Sequence, residues 1–202
     1  MHKSKGIYCV EGLWETDIKN KATVLPMLEL LEKRGICKFI YHDCATRHEL
    51  EFYLKKWKRK SISDKYPILY LTFHGDPGEI TISPNEIYTL EDLGEFLRNK
   101  CYGKIVYFGS CSTLDLNKKT IKNFLSKINA IATIGYKTDV EWIKSTACDL
   151  LVFDAIQKGS LDTRGIEKIK EMIKSDYRNL YKSLELTVVI NDRTHFPRKR
   201  TG

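Results

Sequence analysis

The sequence predicts an α/β domain built on a mainly parallel sheet, and three observations lead there. Short runs rich in β-branched and aromatic residues alternate with amphipathic segments of helical period, the pattern of strands joined by helices. Two of the runs, Ile68-Leu69-Tyr70-Leu71-Thr72-Phe73 and Ile105-Val106-Tyr107-Phe108 after Lys104, are apolar without alternation, as central strands covered on both faces are. The 202 residues fit one domain of ordinary size, long enough to bury a core without a metal or disulfide.

The elements follow in order. A first strand reads Gly6-Ile7-Tyr8-Cys9-Val10. A helix fits Thr23 to Arg34, with Val24, Met27, Leu28 and Leu31 on one face, Pro26 in the first turn and Gly35 as its stop. Lys38 to Tyr41 is the second strand. Thr46 and Glu49 form a capping box for a helix whose apolar face is Leu50, Tyr53, Leu54 and Trp57. Pro67 opens the strand that ends in His74-Gly75-Asp76-Pro77-Gly78. A hairpin then runs from Glu79 to Tyr88 around Ser83-Pro84-Asn85, and Thr89 caps a helix with Leu90, Leu93, Phe96 and Leu97 inward. The strand Lys104 to Phe108 ends in Gly109-Ser110-Cys111-Ser112. Next come a helix marked by Ile121, Phe124, Leu125 and Ile128, a strand from Ala130 to Tyr136, and a helix from Trp142 to Lys158. One long helix holds Ile166, Ile169, Met172, Ile173, Tyr177, Leu180 and Tyr181, and Leu186 to Ile190 is the final strand. No repeat or linker divides the chain. Residues 1–192 are expected to form a single domain and 193–202 a basic tail.

Composition excludes several classes. With 42% apolar and 30% charged residues the chain is neither disordered nor fibrous. No apolar run approaches the roughly 20 residues needed to span a bilayer, and Met1 to Lys5 leads into a short strand, so neither membrane insertion nor a secretory signal is expected. The six cysteines (Cys9, Cys37, Cys44, Cys101, Cys111 and Cys148) are scattered, without a CxxC pair. His42 and His48 near Cys37 and Cys44 match no zinc spacing, so no metal and no cofactor is expected, and reduced cytoplasmic thiols are the default. The net charge of +8 equals the sum of Lys55, Lys56, Lys58, Arg59 and Lys60 with Arg198, Lys199 and Arg200. A helix end and a tail read as solvated surface rather than a nucleic-acid interface, and Trp57 reads as core.

The chemistry is expected outside the carboxyl ends of the strands, where open parallel sheets bind ligands. Two buried strands end there in reactive side chains, His74 followed by Gly75 and Cys111 preceded by Gly109 and Ser110. They lie 37 positions apart, enough for the two strands to be parallel neighbours with aligned ends. A cysteine and a histidine so placed make a nucleophile and its base. The N–H groups of Gly75 and Cys111 are the natural donors to a developing oxyanion. Taken singly, Cys111 reads as a small buried hydrophobe and His74 as a satisfied strand-end histidine; jointly, with the adjacent glycine, they read as catalytic. The other five cysteines are assigned to packing, His42 and His48 to solvent, and His195 to the tail.

An apolar strand ending in Phe73-His74-Gly75 and a second ending in Phe108-Gly109-Ser110-Cys111-Ser112 resemble the caspase-like cysteine peptidases, the CHAT-type domains most closely. Ile131 to Tyr136, with its final Gly135-Tyr136, and the helix from Ala147 to Gly159 resemble the elements that follow the cysteine in CHAT domains. The resemblance implies a three-layer α/β/α sandwich with a caspase-like sheet, and a cysteine endopeptidase with Cys111 as nucleophile and His74 as general acid/base. Gly75 and Cys111 N–H would form the oxyanion hole. Its partners would be a protein or peptide substrate and an activating protein, since such peptidases are often held off until activated. Where caspases carry glutamine and metacaspases aspartate, two residues before the nucleophile, this chain has Gly109, so neither pocket transfers. Gly109 and Ser110 flank the approach, and Asp76, Asp139 and Glu141 are candidates for the rim of the first pocket, where they would favour a basic residue before the scissile bond. A catalytically inactive binding or scaffold module of the same fold is the alternative. A nucleotide-binding domain is disfavoured, because no Walker or GxGxxG loop follows any strand.

Overall fold

The computed structural model describes residues 4–191 other than Thr16 and Ile18. The basic tail, with Arg198, Lys199, Arg200 and His195, lies outside them. In chain order the elements are β1 (Ile7–Glu11), α1 (Leu25–Lys33), β2 (Phe39–Asp43), α2 (Arg47–Trp57), α3 (Lys60–Ser63), β3 (Ile68–Thr72), β4 (His74–Asp76), β5 (Glu79–Ser83), β6 (Glu86–Thr89), α4 (Leu90–Phe96), β7 (Ile105–Phe108), α5 (Lys118–Ile128), β8 (Ala132–Tyr136), α6 (Trp142–Lys158), α7 (Thr163–Asp176), α8 (Arg178–Ser183) and β9 (Leu186–Ile190).

Six strands form the central sheet in the order β2-β1-β3-β7-β8-β9, every neighbour parallel except β8 with β9. From β1 the chain steps outward to β2, then returns to build β3, β7 and β8 on the other side. The reversal lies between β1 and β3, which in open α/β sheets is where a crevice opens beyond the carboxyl ends. β1, β3, β7 and β8 are buried at every position. Their side chains alternate between two apolar clusters. Ile7, Cys9, Ile68, Tyr70, Ile105 and Tyr107 join α1, α6 and α7 in one; Tyr8, Val10, Leu69, Leu71, Val106 and Phe108 join α2, α4 and α5 in the other.

Local signals explain several boundaries. Thr46 and Glu49 close a reciprocal capping box on α2, and Thr89 and Asp92 another on α4. Trp57 is fully buried, its indole N–H donating to the Tyr66 carbonyl, so it belongs to the core as read.

Three features depart from expectation. His74-Gly75-Asp76 is not a plain strand end but β4, the first strand of a small antiparallel sheet β4-β5-β6. The long C-terminal helix divides at Tyr177, whose φ of −121° and ψ of 33° leave the helical region. The apolar period runs unbroken through that point, so the sequence carries no mark of the break. His42 is not free in solvent: its ring stacks on Tyr53 at 4.1 Å, and partial burial lowers its pKa.

Candidate active site

The pairing of β3 with β7 sets the geometry. Ile68 faces Ile105 and Leu71 faces Phe108, a constant offset of 37 positions, and the Gly109 N–H continues the ladder onto the Leu71 carbonyl at 2.8 Å. His74, in β4, and Cys111, in the loop after β7, follow these two neighbouring strands with the same spacing in sequence. Gly75, next to His74, adjoins the Cys111 loop. A Cβ on Gly75 would lie 2.3 Å from Thr113 Oγ1, 2.7 Å from the Cys111 carbonyl oxygen and 3.0 Å from Ser110 Cβ. The absence of a side chain therefore lets the two chain segments touch.

The loop carrying Cys111 is anchored on every side. Ser110, buried, shares a 2.7 Å hydrogen bond with the Thr113 hydroxyl, which also donates to the Glu79 carbonyl on β5 at 3.1 Å. Gly78 N–H donates to the Thr113 carbonyl, Ser112 N–H to that of Thr138, and the Ser112 hydroxyl to Asp139 at 2.9 Å. Ser112 sits at φ 49°, in the left-handed region that costs an L-residue energy and persists only where its surroundings impose it. Gly109 is packed from beneath: a Cβ there would meet the Tyr70 ring at 2.5 Å. Among the described residues no acceptor takes the Cys111 N–H.

The cysteines divide sharply. Five are buried; Cys111 alone is half-exposed. Burial pushes the Cys37 thiol up to about 11 and those of Cys44 and Cys148 up to about 12, and it raises Cys9 and Cys101 as well. The Cys111 sulfur receives the Val140 N–H at 3.4 Å and lies 3.8 Å from the Val140 carbonyl.

His74 is exposed, and its Nε2 is 2.6 Å from the Trp14 carbonyl oxygen. The Trp14 ring meets the imidazole edge-on at 5.3 Å. A carbonyl only accepts, so Nε2 carries a proton and, in the neutral ring, Nδ1 is the free acceptor. Imidazole and thiol are not hydrogen-bonded to each other: each has the other partner just described.

The sequence reading missed Glu11, which ends β1 opposite Thr72 and is buried at 1% exposure. It accepts from the Trp14 indole at 2.5 Å, the Thr23 hydroxyl at 2.6 Å, the Val24 N–H at 2.9 Å and the Tyr41 hydroxyl at 2.5 Å. Glu11 thus holds Trp14, and Trp14 holds His74. The available signal was a carboxylate closing an otherwise apolar strand. Asp149 on α6, also buried, was missed as well; it accepts from Tyr70, Tyr107 and Tyr136, of which Tyr70 lies under Gly109.

The proposed rim residues separate. Asp139 stands beside Cys111 through Ser112. Glu141 is committed to the N-cap of α6, accepting from Ile143 and Lys144 N–H, and those bonds hold its carboxyl below the usual range. Asp76 is exposed at the end of β4, opposite Glu79. A cavity of about 180 Å³ borders His74, lined by Leu13, Trp14, Glu15, Thr81, Ser83 and Pro84. Among the described residues no three of His, Cys, Asp or Glu gather to hold a metal ion, and no helix is long and apolar enough to cross a membrane.

Residues 4–189, which include every one of these site residues, match the family DUF6642, described as a family of unknown function. The chain belongs to that family. No curated protein matches it.

Proposed function

We propose that this DUF6642 chain is a caspase-like cysteine endopeptidase, nearest to the CHAT type, with a three-layer α/β/α architecture and a Cys111–His74 dyad acting on a peptide or protein substrate. The observation that carries this reading is that β3 and β7, the strands that lead into His74 and Cys111, are parallel neighbours, with Gly75 pressed on the Cys111 loop. The apolar clusters on the two faces of the sheet support the three layers. Six free thiols fit a reducing compartment such as the cytoplasm.

The mechanism follows from the donors and acceptors. His74 Nδ1 takes the Cys111 proton, and the sulfur attacks the scissile carbonyl carbon. The oxyanion that forms is met by the Gly75 and Cys111 N–H groups; a single donor of this kind is worth about 10²–10³ in kcat. The C–N bond breaks as Nδ1–H protonates the leaving amine, giving a thioester. Water, deprotonated by Nδ1, then releases the acid and restores the thiol. The carboxylate of Asp139 favours a basic residue before the scissile bond, which a positional peptide library would read out.

A peptide acyloxymethyl ketone, followed by peptide mapping, tests the dyad. Selective labelling of Cys111, lost in His74→Ala, is expected; labelling no faster than at the buried thiols would overturn it. The second reading, a catalytically silent binding module, is favoured by one observation: thiol and imidazole are bonded to Val140 and Trp14 instead of to one another. That module would leave Cys111 unlabelled.

A further inference from the structure

The leaving amine must lie against the imidazole that protonates it, so the peptide beyond the scissile bond runs past His74, away from the sulfur. A cavity adjoins His74. It borders His74 but no residue of the 109–113 loop, and it is built from three separate segments: Leu13, Trp14 and Glu15 after β1, Thr81 facing His74 across the β4–β5 pair, and Ser83 with Pro84 at the β5–β6 turn.

Its size and walls select the occupant. At about 180 Å³ it falls below the roughly 300 Å³ at which small-molecule pockets begin, yet a cavity of about 150 Å³ admits a benzene ring. Leu13, Trp14 and Pro84 give it apolar walls, and Trp14 is held by the buried Glu11. A rigid aromatic wall loses little entropy when a side chain packs on it.

We infer that this cavity is the subsite for the first residue after the scissile bond, and that it takes an apolar side chain of leucine, methionine or phenylalanine size. The inference rests on the peptidase reading and adds a specificity determinant on the amine side of the cut.

A set of peptides varied only at that position tests it. Leucine, methionine and phenylalanine are expected to exceed glycine in kcat/KM by about tenfold or more, the discrimination an apolar pocket gives. Thr81→Trp, which fills the cavity, and Ser83→Phe as an independent variant should each bring the leucine-to-glycine ratio close to one. Equal rates across the set, or a preference for glycine, with cleavage still dependent on Cys111, would overturn the subsite and leave the peptidase reading standing. No cleavage of any peptide together with no labelling of Cys111 would overturn both.

Discussion

Glu11 and Asp149 are both buried carboxylates, and each meets its solvation need in a different way. Glu11, at the carboxyl end of β1, gathers an indole N–H, two hydroxyls and a peptide N–H from the loop after β1, the start of α1 and β2. Asp149, deep within the cluster shared by α6 and the sheet, has three tyrosine hydroxyls from β3, β7 and β8. Burial pushes its carboxyl up to about 6 even though all three tyrosines pull the other way. The first network ends at His74, through Trp14. The second ends beneath Gly109, through Tyr70. One therefore holds the proposed general base, while the other supports the floor from which the Cys111 loop rises.

Breaking the Asp149 network should have the largest effect on folding. Asp149→Ala leaves the Tyr70 and Tyr107 hydroxyls without an acceptor, Tyr136 keeping the Ser145 carbonyl at 3.2 Å, and is expected to lower stability by about 4 kcal/mol, read as a fall in urea midpoint. An unchanged midpoint would show that the tyrosines re-pair. The same carboxyl makes stability depend on pH. Its folded pKa stands above the unfolded value near 3.9, so the folded state takes up the proton first as pH falls. Stability from this group is full below about pH 4 and is lost as pH rises through about 6, a change of about 3 kcal/mol. Subtracting the pH–stability curve of Asp149→Asn from that of the parent protein should isolate this slope, and a flat difference would contradict it.

Glu11→Gln sharpens the contrast, because it keeps the shape and removes acceptor capacity. A smaller stability loss of about 2 kcal/mol is expected. The distinguishing readout is kinetic: kcat should fall with KM little changed, and the acidic limb of the pH–rate profile should move. Equal effects on kcat and KM would mark Glu11 as structural only. Gly75→Ala drives a Cβ into the Thr113 hydroxyl and the Cys111 carbonyl; it should cost about 1–3 kcal/mol of stability and slow labelling of Cys111 at least tenfold.

Much of the scaffold was legible because its signals are local. The capping boxes at Thr46 and Thr89, the unbroken apolar runs of β3 and β7, and the limits of α6 each depend on neighbours a few residues apart. That β3 and β7 are parallel neighbours was legible too, from their apolar runs and the length of chain between them. What escaped depends on distant partners. Asp149 meets Tyr70 across 79 positions and Tyr107 across 42, and Glu11 meets Tyr41 across 30, with only its Trp14 donor close by in sequence. β4, three residues long, is too short for a periodic signal and exists because β5 returns alongside it. The family match spans residues 4–189 and assigns no chemistry to them.

The unequal exposure of the thiols has a consequence for how this molecule would age in an oxidising burst. Peroxide meets Cys111 first, because the other five sulfurs lie inside the core. Oxidation to the sulfenic acid would silence the proposed nucleophile while the fold stayed whole. Mass spectrometry of peroxide-treated protein should find the added oxygen on the Cys111 peptide before any loss of circular dichroism, and a reductant should restore the thiol. Oxidation spread evenly over all six sulfurs would contradict this order.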